Sequence, residues 1–359
     1  PFFFIFLRHI FILYILWNCF SLSPIVYAHN YEEIIQKYYK NNNFNGAVLI
    51  AQNGSVLYKS GVGLSNKEEG TSINSQSLFK IASVTKVFTS LIILHLYEKG
   101  VLDLHQTIGK YYPEYSGEGK ERVTLHHLLT HSSGIPHCEG SNGIAVYQSP
   151  YSVDEFIRRY CSGTLDYEPG SQFRYNNADY IILGRIIEKV TGKSFSENLH
   201  SIIVQPLQLQ HTAMLSHKDI IKGLASTYYI DDSTKVFYRD APMYIENYFS
   251  AGAMYSTVDD IFRLDKALFS SRILQKSTVD LMMTPYPALY NVAYGLWVSQ
   301  QKFGEKTYKV ANRQGSIWGA NAYWIHIMDN NITIIILSNT NATNLHTLAE
   351  EFALETMKN

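Results

Sequence analysis

A chain of 359 residues is long for one compact unit, yet short enough for a single catalytic domain carrying a large insert. With 46% hydrophobic and 17% charged residues it has the material for a packed core, and no stretch carries the Pro, Glu and Ser bias of disorder. Because 30 Lys plus Arg balance 31 Asp plus Glu and no basic run is interleaved with aromatics, nucleic acid is excluded as an expected partner.

Residues 1–28 are mostly apolar, interrupted by Arg8 and His9, and reach a small-residue site at Val26-Tyr27-Ala28. They read as a secretory signal peptide or, uncleaved, as an N-terminal anchor, since residues 10–28 are nearly long enough to span a bilayer. The expectation is an exported protein, periplasmic or secreted, touching membrane only through that segment, with residues 29–359 as the working domain. Cys19 belongs to the leader, and Cys138 with Cys161 either pair in an oxidising compartment or stay unpaired in the core.

Residues 46–59 alternate as a hairpin around Asn53-Gly54, a pair suited to positive φ. From Ser83 to Lys99 apolar residues recur at helical spacing and Gly100 follows as a stop; a second helix runs from about Asn177 to Gly192. Ala322–Met328 and Ile332–Leu337 form another hairpin, and a last helix carries Leu345, Leu348 and Phe352 on one face. The pattern predicts an α/β (α+β) fold: an antiparallel sheet built from N- and C-terminal segments (about 44–104 and 291–359) flanked by helices, with a mostly helical insert over about 105–290.

A Ser one helical turn before a Lys puts hydroxyl and amine on one face, where a desolvated amine can take the hydroxyl proton. Ser-x-x-Lys occurs at Ser77, Ser83 and Ser299, so context has to select. Ser83 alone opens a strongly apolar helix, where unpaired N–H groups favour an oxyanion; the plain alternative is an N-cap serine with a solvated Lys86. Tyr175-Asn176-Asn177 supplies a phenol to shuttle a proton and a carboxamide to hold a substrate amide, or else a turn with a helix cap. Tyr39-Lys40-Asn41, with the same spacing, falls in the polar run before the first strand. Arg313-Gln314-Gly315-Ser316 offers a fixed cation before a Gly that lets substrate lie along a strand edge, or else a loop before a strand.

These elements, in this order, resemble the serine β-lactamase and DD-peptidase superfamily, in its branch of class C β-lactamases, D-alanyl-D-alanine carboxypeptidases and related esterases. The likeness covers about residues 44–340 and includes Leu78–Lys86, Leu128–Pro136, Pro169-Gly170, Gly252, Ser256-Thr257, Asp260 and Leu337-Ser338-Asn339. It implies that Ser83 is the acylated nucleophile, that Lys86 and Tyr175 share proton transfer, and that Asn177 contacts the substrate's amide. It also implies an oxyanion hole from the amides of Ser83 and Ser316, with Arg313 and Gly315 beside the substrate. The family usually carries Lys or His where this chain has Arg313; Arg keeps the charge and can clasp a carboxylate but cannot shuttle a proton. The implied activity is hydrolysis of amide, lactam or ester substrates bearing a carboxylate, including peptidoglycan-derived peptides, without cofactor. A carboxylesterase and a catalytically silent sensor of cell-wall fragments are the rivals. His127 and His131 have the spacing of helical zinc ligands, but Leu128 stands where a metalloprotease needs Glu, so no metal is expected. No Gly-x-Ser-x-Gly elbow occurs.

Overall fold

A computed structural model describes residues 30–231 and 233–358; the leader-like segment 1–28 lies outside the described residues. Six antiparallel strands form the main sheet: β1 (Gly46–Gln52), β2 (Ser55–Val62), β3 (Trp297–Phe303), β4 (Lys306–Ile317), β5 (Ala320–Ile327) and β6 (Ile332–Ser338). Their spatial order is β3-β4-β5-β6-β1-β2, so strands from the two ends of the chain meet at β6 and β1. Asn53 (φ 51°) and Gly54 (φ 76°) turn β1 into β2 with both central residues at positive φ, as the Asn-Gly pair predicts.

The central strands are buried on both faces, and side-chain alternation sorts them between two cores. Val48, Ile50, Ile325, Ile334 and Ile336 face helices α1 (Tyr31–Asn42) and α5 (Leu345–Thr356), meeting Ile35, Leu348 and Phe352. Ala47, Leu49, Trp324, Ile335 and Leu337 face a larger core shared with the helical part of the chain. There α2 (Thr85–Glu98) is buried almost all round, which suits a helix enclosed between a sheet and further helices. Helix α3 (Asn177–Thr191) packs against α2, and α4 (Val258–Phe269) lies on β6 and β1. Among the described residues no helix is long and apolar enough to cross a membrane.

The fold decides three readings that the sequence left open. The Tyr39-Lys40-Asn41 run is part of α1, whose Tyr31, Ile35 and Tyr38 form a buried stripe. Arg313–Ser316 lie inside the long strand β4, not in a loop before a strand. Cys138 and Cys161 are both buried and unpaired, which leaves the second of the two readings.

Candidate active site

Ser83 sits in a tight turn, Ala82–Val84, that leads into α2. Ala82 has φ 46°, a left-handed conformation unfavourable for a residue with a Cβ and one that persists only where its surroundings enforce it. Ser83 does not cap the helix; the cap position is Val84. Its Oγ lies 2.6 Å from the Tyr175 hydroxyl and accepts from Lys86 Nζ at 3.2 Å. The fold thus brings Ser83, Lys86 and Tyr175 within hydrogen-bonding reach. Of the other two Ser-x-x-Lys copies, Lys80 donates to Thr227 Oγ1 at 3.2 Å and Ser299–Lys302 lies on strand β3.

Lys86 is fully buried, and its Nζ also donates to Asn177 Oδ1 and to the Ala251 carbonyl, each at 2.8 Å. Three acceptors fill its three N–H positions, so the hydrogen bonding favours the ammonium form that burial opposes. Burial brings the Lys86 ammonium down to about 8, with Tyr175 pulling it up and Arg313 pushing it further down. Burial pushes the Tyr175 phenol up, but the cations Lys86 and Arg313 outweigh it and bring it down to about 8. A cationic amine holding a phenol poised to ionise suits Tyr175 as the base better than Lys86.

Arg313 completes the site in an unexpected way. It is 1% exposed; its Nε donates to the Ser83 carbonyl and its Nη2 to the Tyr175 hydroxyl, each at 2.9 Å. The guanidinium lies 5.0 Å from the Trp297 ring centre and 5.4 Å from that of Tyr175, and Nη1 is buried without a partner. The cation expected to clasp a substrate carboxylate is therefore engaged with the nucleophile's backbone and the phenol. Asn177 also makes internal bonds, with Oδ1 on Lys86 and one of the two Nδ2 hydrogens donated to the Tyr147 hydroxyl at 3.3 Å.

Gly315 has a different reason from the one expected. A Cβ there would collide with the Ile81 carbonyl and come within 3.0 Å of the Ser83 amide nitrogen, so the glycine lets β4 lie against the nucleophile turn. The β3–β4 ladder ends at Trp297 opposite Asn312, so residues 313–317 have no β3 partner and present a strand edge beside Ser83. Ser316 stands on that edge, opposite Asn321 of β5.

Outside Ser83 opens a cleft of about 660 Å³, lined by Phe173, Tyr290 and Trp297 and by Asn312, Gln314 and Ser316. Among the described residues Arg313 is the only Lys or Arg in its lining. Phe173 and Trp297 meet edge to face at 6.2 Å, and Tyr290, 75% exposed, stands at the lip. Sequence reasoning missed this aromatic wall and a buried group behind Tyr175. His131 and Ser133 of that group stand in the run Leu128–Pro136, and Asp179 is an acid in the first turn of an apolar helix. His127 does not join His131: its Nδ1 accepts from the Thr124 amide in a capping box, whereas His131 is buried against Asp179.

A Ser–Lys–Tyr cluster at the junction of an antiparallel sheet and a helical region is the architecture of a serine hydrolase. The Beta-lactamase family profile matches residues 32–357, and the chain belongs to that family. Penicillin-binding protein 4* of Bacillus subtilis is 30% identical over 319 residues, 83% of this chain and 68% of that protein. The teichoic acid D-alanine hydrolase of Staphylococcus aureus (strain MRSA252) is 29% identical over 269 residues, 74% of this chain and 65% of that protein's length. Among solved structures, the octameric penicillin-binding protein homologue from Pyrococcus abyssi matches with a TM-score of 0.77 at 27% identity, over 92% of this chain and 77% of that one.

Proposed function

We propose that the protein hydrolyses esters or amides of small acyl groups through an acyl-enzyme on Ser83. The observation that carries this reading is the 2.6 Å approach of the Ser83 and Tyr175 hydroxyls, with Arg313 donating to the same phenol oxygen. Tyr175, ionised, accepts the Ser83 proton as Oγ bonds to the substrate carbonyl carbon. The phenol then returns that proton to the departing alcohol or amine. A water attacks the ester by the same route, its proton passing to Tyr175 and on to Ser83 Oγ as the acyl bond breaks. The amides of Ser83 and Ser316 hold the oxyanion, and Lys86 keeps the phenol's charge balanced.

On the substrate, Arg313 now argues against a requirement for a free carboxylate. Its guanidinium is bonded inward, and aromatic and neutral polar residues make up most of the cleft lining. We therefore favour a neutral leaving-group side, an ester above a D-Ala-D-Ala peptide or β-lactam. The name of the Staphylococcus relative, a D-alanine hydrolase, fits an aminoacyl ester among the candidates. Residues 1–28, read as a signal peptide or an N-terminal anchor, would place the reaction outside the cytoplasm.

A fluorophosphonate should add its mass to the peptide containing Ser83; label on another serine, or none, ends the assignment. A panel of p-nitrophenyl ester, nitrocefin and D-Ala-D-Ala peptide should then rank the ester first.

A further inference from the structure

Tyr175 has no regular element of its own; it precedes α3 by two residues, yet its oxygen must sit within ångströms of Ser83. What fixes it is a buried group behind the ring. The His131 ring lies 4.6 Å from the Tyr175 ring, 5.0 Å from Tyr180 and, edge-on, 6.1 Å from Phe173. The His131 carbonyl accepts from the Arg174 amide at 2.9 Å and its Nδ1 from the Asn176 amide at 3.4 Å, so one residue grips the chain on both sides of Tyr175.

Asp179 holds His131 in turn. From the first turn of α3, Asp179 Oδ2 lies 3.0 Å from His131 Nδ1, and Oδ1 accepts from Ser133 Oγ at 2.5 Å. All three residues are at most 2% exposed. His131 keeps φ 54°, a left-handed conformation costing about 1 kcal/mol for a residue with a side chain. Its Nε2 is buried without a hydrogen-bond partner. Strain and an unsatisfied atom together mark a residue retained for something besides stability.

We propose that His131, tied to Asp179 and Ser133, is the positioning residue that holds the Tyr175 phenol on Ser83. This rests on the reading of Tyr175 as the base. Burial, then the cations Lys86 and Arg313, keep His131 well below its usual range, and burial holds Asp179 well above the carboxylate range. The phenol's own balance is set by Lys86 and Arg313, the two cations that act on it.

The rate of Ser83 phosphonylation by a fluorophosphonate, followed by intact mass across pH, reads this without a known substrate. His131→Asn keeps a polar atom near the Nδ1 position and suits left-handed backbone, but removes the ring behind Tyr175. It should lower the limiting rate about 100-fold, leave the half-saturating reagent concentration unchanged and move the acid limb to higher pH. Asp179→Asn, which can keep both hydrogen bonds, should stay close to wild type. A wild-type rate and profile in His131→Asn, or an equal loss in Asp179→Asn, would overturn the proposal. If His131→Asn does not fold, Ser133→Ala carries the test: a loss of about tenfold per folded molecule is expected, beyond what any fall in Tm accounts for, and an unchanged rate refutes. Absence of label on wild-type Ser83 would instead sink the assignment of the nucleophile, a separate outcome.

Discussion

Two buried His–Asp pairs in this molecule have nearly the same geometry and very different surroundings. Asp265 of α4 accepts from Trp324 Nε1 at 2.7 Å and Thr333 Oγ1 at 2.7 Å, and lies 3.1 Å from His326 Nδ1. His326 is stacked flat on Phe269 at 3.6 Å. Both carboxylate oxygens are occupied, and the cluster fastens α4 to β5 and β6. Asp179 and His131 are as close at 3.0 Å, yet there the His131 Nε2 and the neighbouring Arg313 Nη1 have no partner. Burial that completes its hydrogen bonds makes a fastening; burial that leaves polar atoms over, beside a nucleophile, marks where the chain departs from its most stable arrangement.

The sharpest way to test that contrast is to damage the site and ask whether the fold notices. Lys86→Met removes a buried cation, whose desolvation penalty offsets the three hydrogen bonds lost to Ser83, Asn177 and Ala251, and should slow Ser83 labelling by about 1000-fold or more at little cost in Tm. A collapse of Tm would mean that Lys86 fastens the fold as Asp265 does. Gly315→Ala comes next: its Cβ meets the Ile81 carbonyl, so β4 must move off the nucleophile turn, at a cost of about 100-fold in rate. Undiminished labelling would show that the turn can give way, and that the close packing of β4 on Ser83 is incidental.

Smaller in size but more specific is the pH profile. With Lys86 and Tyr175 each near 8, the pair titrates as a unit, and activity should rise with pH through that region. Arg313 lowers both groups, so Arg313→Met should raise both and move the acid limb to higher pH, with less phenolate at any given pH. A limb that stayed in place would remove Arg313 from the phenol's charge balance and return it to substrate binding. The same variant should affect neutral and carboxylate-bearing esters alike, whereas a carboxylate clasp would make the second suffer far more.

How much of this was legible in the sequence differs between the two regions. The hairpins around Asn53-Gly54 and Asp329-Asn331, and the helices that come after Ser83 and begin at Asn177, follow from local periodicity and turn chemistry, and the structure has all four. Strand β4 was not legible: its largely exposed first third, Lys306 to Lys309, does not alternate, and Arg313 looks like a loop cation until the fold buries it. Ser83, Lys86 and Tyr175 could be singled out because each sits in a local pattern. The commitment of Arg313 and Asn177 to internal bonds could not, since it depends on atoms 138 and 91 residues away in the chain. His131 and Asp179, 48 residues apart, are joined only by the packing of α3, and Asp265 with His326 only by the packing of α4 on the sheet.

The smallest expected effect on catalysis is the one that makes the comparison two-sided. Asp265→Ala would leave Trp324 Nε1, His326 Nδ1 and Thr333 Oγ1 facing a buried gap. Losing one partner of a buried, hydrogen-bonded group of this kind costs about 3 kcal/mol, and Tm should fall accordingly. Asp265→Asn, which can still accept from part of the group, should cost about 1 kcal/mol. Because α4 packs on the sheet and Asp265 makes its bonds to Trp324, His326 and Thr333 rather than to the Ser83 turn, labelling of Ser83 per folded molecule should match wild type in both variants. A rate loss beyond the unfolded fraction would show that the far cluster is coupled to the nucleophile through β5. The two His–Asp pairs would then be parts of one device, and the distinction drawn from their unsatisfied atoms would fail.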